Sequence, residues 1–171
     1  TSNIDFSGKI NSDFTSSQMT LNFSNITDGI YNINQLNLFA DYHDKNLDVR
    51  TIQSVLPLNF ELKYLDSTGT VSGSLITQKL KPTSFMSYNQ KKSMPYNLDK
   101  MSFSSKSDFT YIIHSKKSDF NSEGDFTIPT NDKDETVKLS YSIFGNNELI
   151  NLEYLTLDGK RWQGNASFEY E

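Results

Sequence analysis

The sequence predicts an all-β protein, and three observations support this prediction. Apolar and polar residues alternate through segments such as Leu36–Tyr42, Phe60–Tyr64 and Val137–Ile143, and a period of two is typical of strands with one apolar and one solvated face. Turn-forming residues recur about every 8–12 residues, as expected for consecutive antiparallel strands. Helical periodicity is almost absent. We therefore expect about ten or more antiparallel strands.

The strand signals run through nearly the whole chain. The segments with strand character are, in order, Asn3–Ile10, Gln18–Ser24, Ile30–Tyr42, Leu47–Ser54, Leu58–Leu65, Gly69–Thr77, Lys100–Ser104, Phe109–Ser115, Asp119–Ile128, Thr136–Phe144, Leu149–Leu157 and Arg161–Tyr170. Between the two halves, a polar stretch near 83–92 follows Pro82, and there we expect at most one short helix.

Turns between these segments have their own chemistry. The pairs Asp28-Gly29, Asp158-Gly159 and Asn146-Asn147 suit positions that need a positive φ, as hairpin turns do. Another reversal is expected at Ser67-Thr68-Gly69.

Composition indicates one domain over residues 1–171 and excludes some functions. Only 35% of the residues are apolar, but twelve Phe and nine Tyr can fill the apolar side of a sheet. The net charge of −5 disfavours a nucleic-acid surface, which needs a basic excess. With no cysteine, thiol catalysis and Cys-ligated zinc are excluded. Because both ends fall within strand patterns, we expect a fragment of a longer protein.

The sequence contains no recognisable catalytic, metal-binding or cofactor-binding motif, so it predicts a non-enzymatic protein without a cofactor. His43 and His114 are far apart and have no metal-ligand spacing, so we interpret them as structural or surface residues. No Gly-x-Ser-x-Gly elbow and no phosphate-binding glycine loop occurs. The acidic residues Asp132, Asp134 and Glu135 are interpreted as a solvated turn rather than a metal site.

Aspartate followed by phenylalanine recurs along the chain. We interpret each pair as a strand start at which Phe enters the core and Asp faces water, in preference to a row of cation ligands. The pairs are Asp5-Phe6, Asp13-Phe14, Asp108-Phe109, Asp119-Phe120 and Asp125-Phe126.

The single tryptophan, Trp162, follows the Asp158-Gly159 turn and precedes the last strand. An interpretation as a cap at the open end of a sheet is favoured over a sugar-stacking or membrane-interface role.

Several segments resemble the C-terminal β-rich repeats of the AsmA-like family of Gram-negative envelope proteins, which is related to TamB and YhdP. They are Ile4-Asp5-Phe6-Ser7-Gly8-Lys9-Ile10, Met19-Thr20-Leu21-Asn22-Phe23, Gly69-Thr70-Val71-Ser72-Gly73-Ser74-Leu75, Lys79-Leu80-Lys81-Pro82 and Leu155-Thr156-Leu157-Asp158-Gly159-Lys160-Arg161-Trp162. The resemblance implies a curved antiparallel sheet folded as an open trough, anchorage of the full-length protein in the inner membrane, and phospholipid transport across the periplasm that serves outer-membrane homeostasis. It carries no catalytic residues.

Two architectures fit the alternation. In a curved open sheet or trough, the apolar face would hold phospholipid or another acyl-chain ligand, and the open edges would pair with neighbouring β segments of the same protein. A closed β-sandwich or barrel would instead suit a binding module of a surface protein or lipoprotein that recognises glycan or protein. The candidate members of the apolar, lipid-binding face are Leu36, Leu38, Phe60, Leu62, Tyr64, Leu139 and Tyr141.

Overall fold

The computed structural model describes residues 3–10, 15–27, 32–54, 56–84, 86, 98–130 and 135–171, without the side chains of residues 3, 4, 6, 10, 25–27 and 32–34. Within this part of the chain, eleven strands form one antiparallel sheet in the order of the sequence. The strands are β1 (Asn3–Ile10), β2 (Ser16–Thr27), β3 (Asn32–His43), β4 (Asn46–Ser54), β5 (Leu58–Leu65), β6 (Thr70–Leu80), β7 (Ser102–Ile112), β8 (Lys117–Pro129), β9 (Thr136–Asn146), β10 (Ile150–Asp158) and β11 (Gln163–Tyr170). Single 3-10 turns lie at Pro82–Ser84 and Leu98–Lys100.

The sheet is open. Each strand pairs with the strands before and after it in sequence, and β1 and β11 are its outer strands. The predicted all-β fold and open sheet are therefore confirmed, and the closed sandwich or barrel is not the observed architecture.

Cross-strand register separates apolar from polar residues. Directly paired residues of antiparallel strands lie on the same face of a sheet. One row across all strands is Gly8, Met19, Ala40, Val49, Leu62, Gly73, Phe109, Phe120, Gly145, Ile150 and Tyr170. The adjacent row, on the opposite face, is Lys9, Gln18, Asp41, Asp48, Lys63, Ser72, Thr110, Asp119 and Asn146. We call these sides the apolar face and the polar face.

β-Bulges keep this separation intact. The register shifts between Asn37 and Leu38, between Thr77 and Leu80, and between Leu152 and Tyr154. Each shift inserts a residue, which bends the strand and resets the side-chain alternation. At the second bulge Lys79 has a φ of 49° and its amide donates to Ser104 Oγ at 2.9 Å.

The predicted strands Lys100–Ser104 and Phe109–Ser115 are one continuous strand, β7. The polar residues between them suggested a break. In the sheet, Ser105 instead donates its amide to Thr77 Oγ1 at 2.9 Å, and Ser107 Oγ lies 2.8 Å from Ser122 Oγ. Cross-strand hydroxyl pairs thus replace apolar contacts in the middle of the strand.

The turns differ in part from the prediction. Positive φ occurs at Asp44 (47°), Lys45 (64°) and Lys116 (54°), and at Gly69 (60°) within the predicted Ser67-Thr68-Gly69 reversal. The predicted positive φ at Asn146-Asn147 and at Gly159 is wrong. The Asn146 Oδ1 atom accepts the amides of Glu148 at 2.8 Å and Leu149 at 3.0 Å, so its side chain closes that turn without a left-handed residue.

Other predictions fall wholly or partly outside the described residues. The Asp28-Gly29 turn, the Asp13-Phe14 pair, Asp132 and Asp134 lie outside them. Of the stretch near 83–92, the described part contains only the end of the 3-10 turn and Met86.

Candidate functional site

The candidate site is the apolar face. It holds all the predicted residues: Leu36 and Leu38 on β3, Phe60, Leu62 and Tyr64 on β5, and Leu139 and Tyr141 on β9. Each of these residues is paired with residues of the same face on the neighbouring strands. Leu139, for example, pairs with Phe126 on one side and with Leu157 on the other. Side chains far apart in sequence therefore form one surface.

Most of this face is not covered by a second layer of described residues, although Thr77, Ser105 and Val137 are buried. The chain exposes 11852 Å² of surface, whereas a compact protein of 19.5 kDa exposes about 8,500 Å². In the described part of the chain no large side chain is fully buried. Exposed members of the apolar face are Met19, Leu75, Phe109, Tyr111, Phe126, Ile128, Ile150, Phe168 and Tyr170.

Aromatic rings pack against glycines in the centre of the face. A Cβ atom on Gly73 would come within 2.5 Å of the Phe109 ring, and one on Gly145 within 2.8 Å of the Phe120 ring. A Cβ atom on Gly124 would lie 2.9 Å from the Tyr141 ring. Each glycine thus leaves room for a ring of the directly paired strand, and we call the surface that these rings form the aromatic floor.

Ring stacking extends this floor. Phe103 stacks on Phe126 with ring centroids 4.4 Å apart, and Phe126 lies 6.2 Å from Tyr141. The Asp-Phe pairs supply several of these rings, since Phe109, Phe120 and Phe126 are on the apolar face and the preceding aspartates on the polar face. For these pairs the predicted placement of Phe and Asp on opposite faces is confirmed. The predicted entry of Phe into a core is not, because Phe109 and Phe126 are exposed, and Asp108 and Asp125 lie inside strands rather than at their starts.

A line of hydroxyl groups crosses the aromatic floor. Thr77 Oγ1 and Ser105 Oγ are 3.1 Å apart and buried, while Ser122 Oγ lies 2.8 Å from Ser107 Oγ and 3.2 Å from the Tyr141 hydroxyl. These groups satisfy one another, so they interrupt the apolar surface without adding an unpaired polar group there.

The polar face carries paired charges. Lys63 Nζ lies 2.6 Å from Glu61 Oε1, and Lys138 Nζ lies 3.0 Å from Asp125 Oδ1. Shallow hollows of about 260 Å³ and 300 Å³ lie beside Lys63 and Lys106. Within the described residues, no group of three potential metal ligands occurs.

Asp125 makes the stability of the sheet sensitive to acid. The Ser140 hydroxyl, which donates to Asp125 Oδ1 at 2.6 Å, and the Lys138 ammonium lower the pKa of this carboxyl from its ordinary 3.8. A lowered folded-state pKa contributes stability that is present above the unfolded value and lost as the pH falls through the folded one. In urea titrations, we expect Asp125→Asn to flatten the loss of stability below pH 3.8. Ser140→Ala should reproduce most of this effect, and a wild-type slope in both variants would contradict the assignment.

The histidines and Trp162 lie away from the apolar floor. His43 is exposed, with Nε2 2.9 Å from the Asp44 carboxylate. His114 lies against Gly69, where a Cβ atom on the glycine would overlap the imidazole ring. Trp162 is 63% exposed in the β10–β11 turn, where its carbonyl accepts the Gly159 amide at 2.8 Å.

Comparisons with protein-family models, curated proteins and solved structures find no match for this chain. The described residues include no helix that is both long and apolar enough to cross a membrane. The function is therefore inferred from the site itself.

Sequence reasoning missed the glycine-seated rings of Phe109 and Phe120. The Asp-Phe pairs contain the signal, because a large ring that alternates with a carboxylate belongs on the apolar side. The glycine beneath each ring could not be identified without the register, since Gly73 and Phe109 are distant in sequence.

Proposed function

We propose that the apolar face binds acyl chains and that the protein is a non-enzymatic β segment for phospholipid handling in the bacterial cell envelope. The observation that carries the proposal is a continuous apolar row across all eleven strands, on a face of which most has no described layer over it. Large exposed apolar patches on proteins mark surfaces that bind ligands, membranes or other proteins.

The dimensions of the face suit lipid tails. Ten steps between eleven strands, at about 4.8 Å each, give a width of about 48 Å. One acyl chain spans about 15 Å, half of a bilayer core. About three extended chains would therefore fit end to end across the face. Each buried methylene contributes about 0.8 kcal/mol, so contact with a few methylenes is enough for measurable binding.

The rings beside the interior glycines favour a flexible ligand over a rigid partner. Gly73, Gly124 and Gly145 leave room for rings of the paired strands to pack close to the backbone of the sheet. A flexible hydrocarbon chain adapts to such a surface through many weak contacts.

The AsmA-like resemblance supports the location and the ligand class of this proposal. It implies a periplasmic site, inner-membrane anchorage of the full-length protein and phospholipid as the ligand. In that setting, the outer strand β1 would pair with a neighbouring β segment of the same protein.

The test is native mass spectrometry of protein purified without detergent, followed by extraction and identification of bound lipid. We expect co-purifying phospholipid, and binding of a fluorescent fatty acid by the delipidated chain. Lipid-free protein that also ignores the fatty acid would refute the proposal.

Recognition of glycan or protein by a surface protein is the second candidate. Its supporting observation is Trp162, which is exposed beside the exposed Lys160 and Arg161. It ranks second because its predicted scaffold, a closed sandwich, is not observed. Quenching of Trp162 fluorescence by oligosaccharides, in the absence of lipid binding, would favour it.

A further inference from the structure

The outer strand β11 is unusually exposed for a strand that carries aromatic residues. All eight of its residues are exposed, including Phe168 at 53% and Tyr170 at 70%. Its apolar-face residues, read from the pairing with β10, are Gly164, Ala166, Phe168 and Tyr170. An open edge of this kind readily pairs with another strand.

Gly164 departs from the pattern of the interior glycines. Gly73, Gly124 and Gly145 each lie under a ring of the paired strand, whereas a Cβ on Gly164 would meet nothing within 4 Å. On its inner side Gly164 pairs with Leu157. On β11, Gly164 therefore leaves room for a ring in the same way, but no described ring packs against it.

The sequence of β11 supplies that ring when the strand pairs with itself. We propose that β11 joins β11 of a second copy in an antiparallel pair centred on Ser167. In this register Tyr170 lies opposite Gly164 of the second copy and Phe168 opposite its Ala166, so each large residue meets a small one. On the polar face, Asn165 lies opposite Glu169 of the second copy, an amide opposite a carboxylate, and Ser167 meets its own equivalent.

The symmetry of this pair preserves the apolar face. A two-fold axis normal to the sheet keeps both apolar faces on the same side, so the dimer doubles the surface without burying it. Pairing of β11 with β1 of another copy is less suitable. With eleven strands in alternating directions, β1 and β11 run parallel, and simple stacking of copies would break the antiparallel pattern.

The chain has no cysteine, so single-cysteine variants report the register directly. Ser167→Cys should form a disulfide-linked dimer under mild oxidation, because directly paired Cβ atoms are about 5 Å apart. Asn165→Cys and Glu169→Cys should each fail to cross-link alone and should cross-link when mixed. In a dimer of either single variant, the cysteines of the two copies are offset by about four residues along the strands, roughly 13 Å.

A packing variant tests the ring seat in the same dimer. We expect Gly164→Val to raise the dimer dissociation constant, measured by sedimentation, by about tenfold or more, because it blocks both ring seats. Thr156→Val should leave the constant within about twofold, because Thr156 lies on the polar face of the inner strand β10 and does not face the second copy. Circular dichroism of dilute protein checks folding, and if Gly164→Val does not fold, the cysteine pattern decides.

Wild-type protein that stays monomeric at every concentration would overturn the inference. So would cross-linking in any other pattern, or an unchanged dissociation constant in folded Gly164→Val. The assay uses delipidated protein, so its failure and the failure of acyl-chain binding are separate results.

Discussion

Leu75→Asp is expected to weaken fatty-acid binding to the delipidated protein by about tenfold or more while the sheet stays folded. Leu75 lies on the apolar face between Phe60 and Ser107, and is 39% exposed. The aspartate removes contact with about two methylenes, roughly 1.6 kcal/mol, and adds a carboxylate that must stay hydrated beside the bound chain. Since Leu75 is only partly buried, the cost to folding is much smaller than for a core leucine.

Leu65→Asp is the matched control. Leu65 is 44% exposed and lies on the polar face, one residue beyond Tyr64. The substitution adds the same charge and removes the same side chain, so we expect fatty-acid affinity to stay within about twofold of wild type. Equal losses in both variants, measured by fluorescence titration with circular dichroism as the folding check, would show that binding does not depend on the apolar face.

Gly124→Ala is expected to destabilise the sheet by about 1–3 kcal/mol, the usual cost of forcing an extra methyl group into a packed site. The new Cβ would lie 2.5 Å from the Ser104 carbonyl oxygen, a backbone atom, and 2.9 Å from the Tyr141 ring. Neither neighbour can yield without moving a strand or lifting the ring. Lifting the ring would also lengthen the 3.2 Å contact between Tyr141 and Ser122. Urea denaturation at neutral pH measures the loss.

Gly164→Ala provides the comparison, at a glycine of the same face with no atom within 4 Å of the new Cβ. In dilute solution, where β11 stays unpaired, its stability should equal or slightly exceed that of wild type, because alanine loses less backbone entropy than glycine. If both substitutions had the same effect, the rings would not depend on their glycine seats.

The alternation of residues was sufficient to predict most of the strands and some of the residues on the apolar face. Phe60, Leu62 and Tyr64 had to share one face, whatever their neighbours, because side chains on a strand alternate between its two sides. The Asp-Phe pairs followed the same rule. Strand order could not be read this way, because period two describes one strand and says nothing about which strand lies beside it.

Tertiary structure alone decided closure, register and the places where hydroxyls replace apolar contacts. Whether two apolar faces meet in a sandwich or one face stays open depends on how the strands pair, and here each strand pairs only with its sequence neighbours. The bulge at Thr77–Leu80 and the Ser107–Ser122 contact exist only across that pairing. The sequence by itself therefore determined that the protein consists of β-strands with one apolar and one polar side. The pairing of the strands determined that the apolar side remains exposed, because only the pairing specifies what lies opposite each side chain.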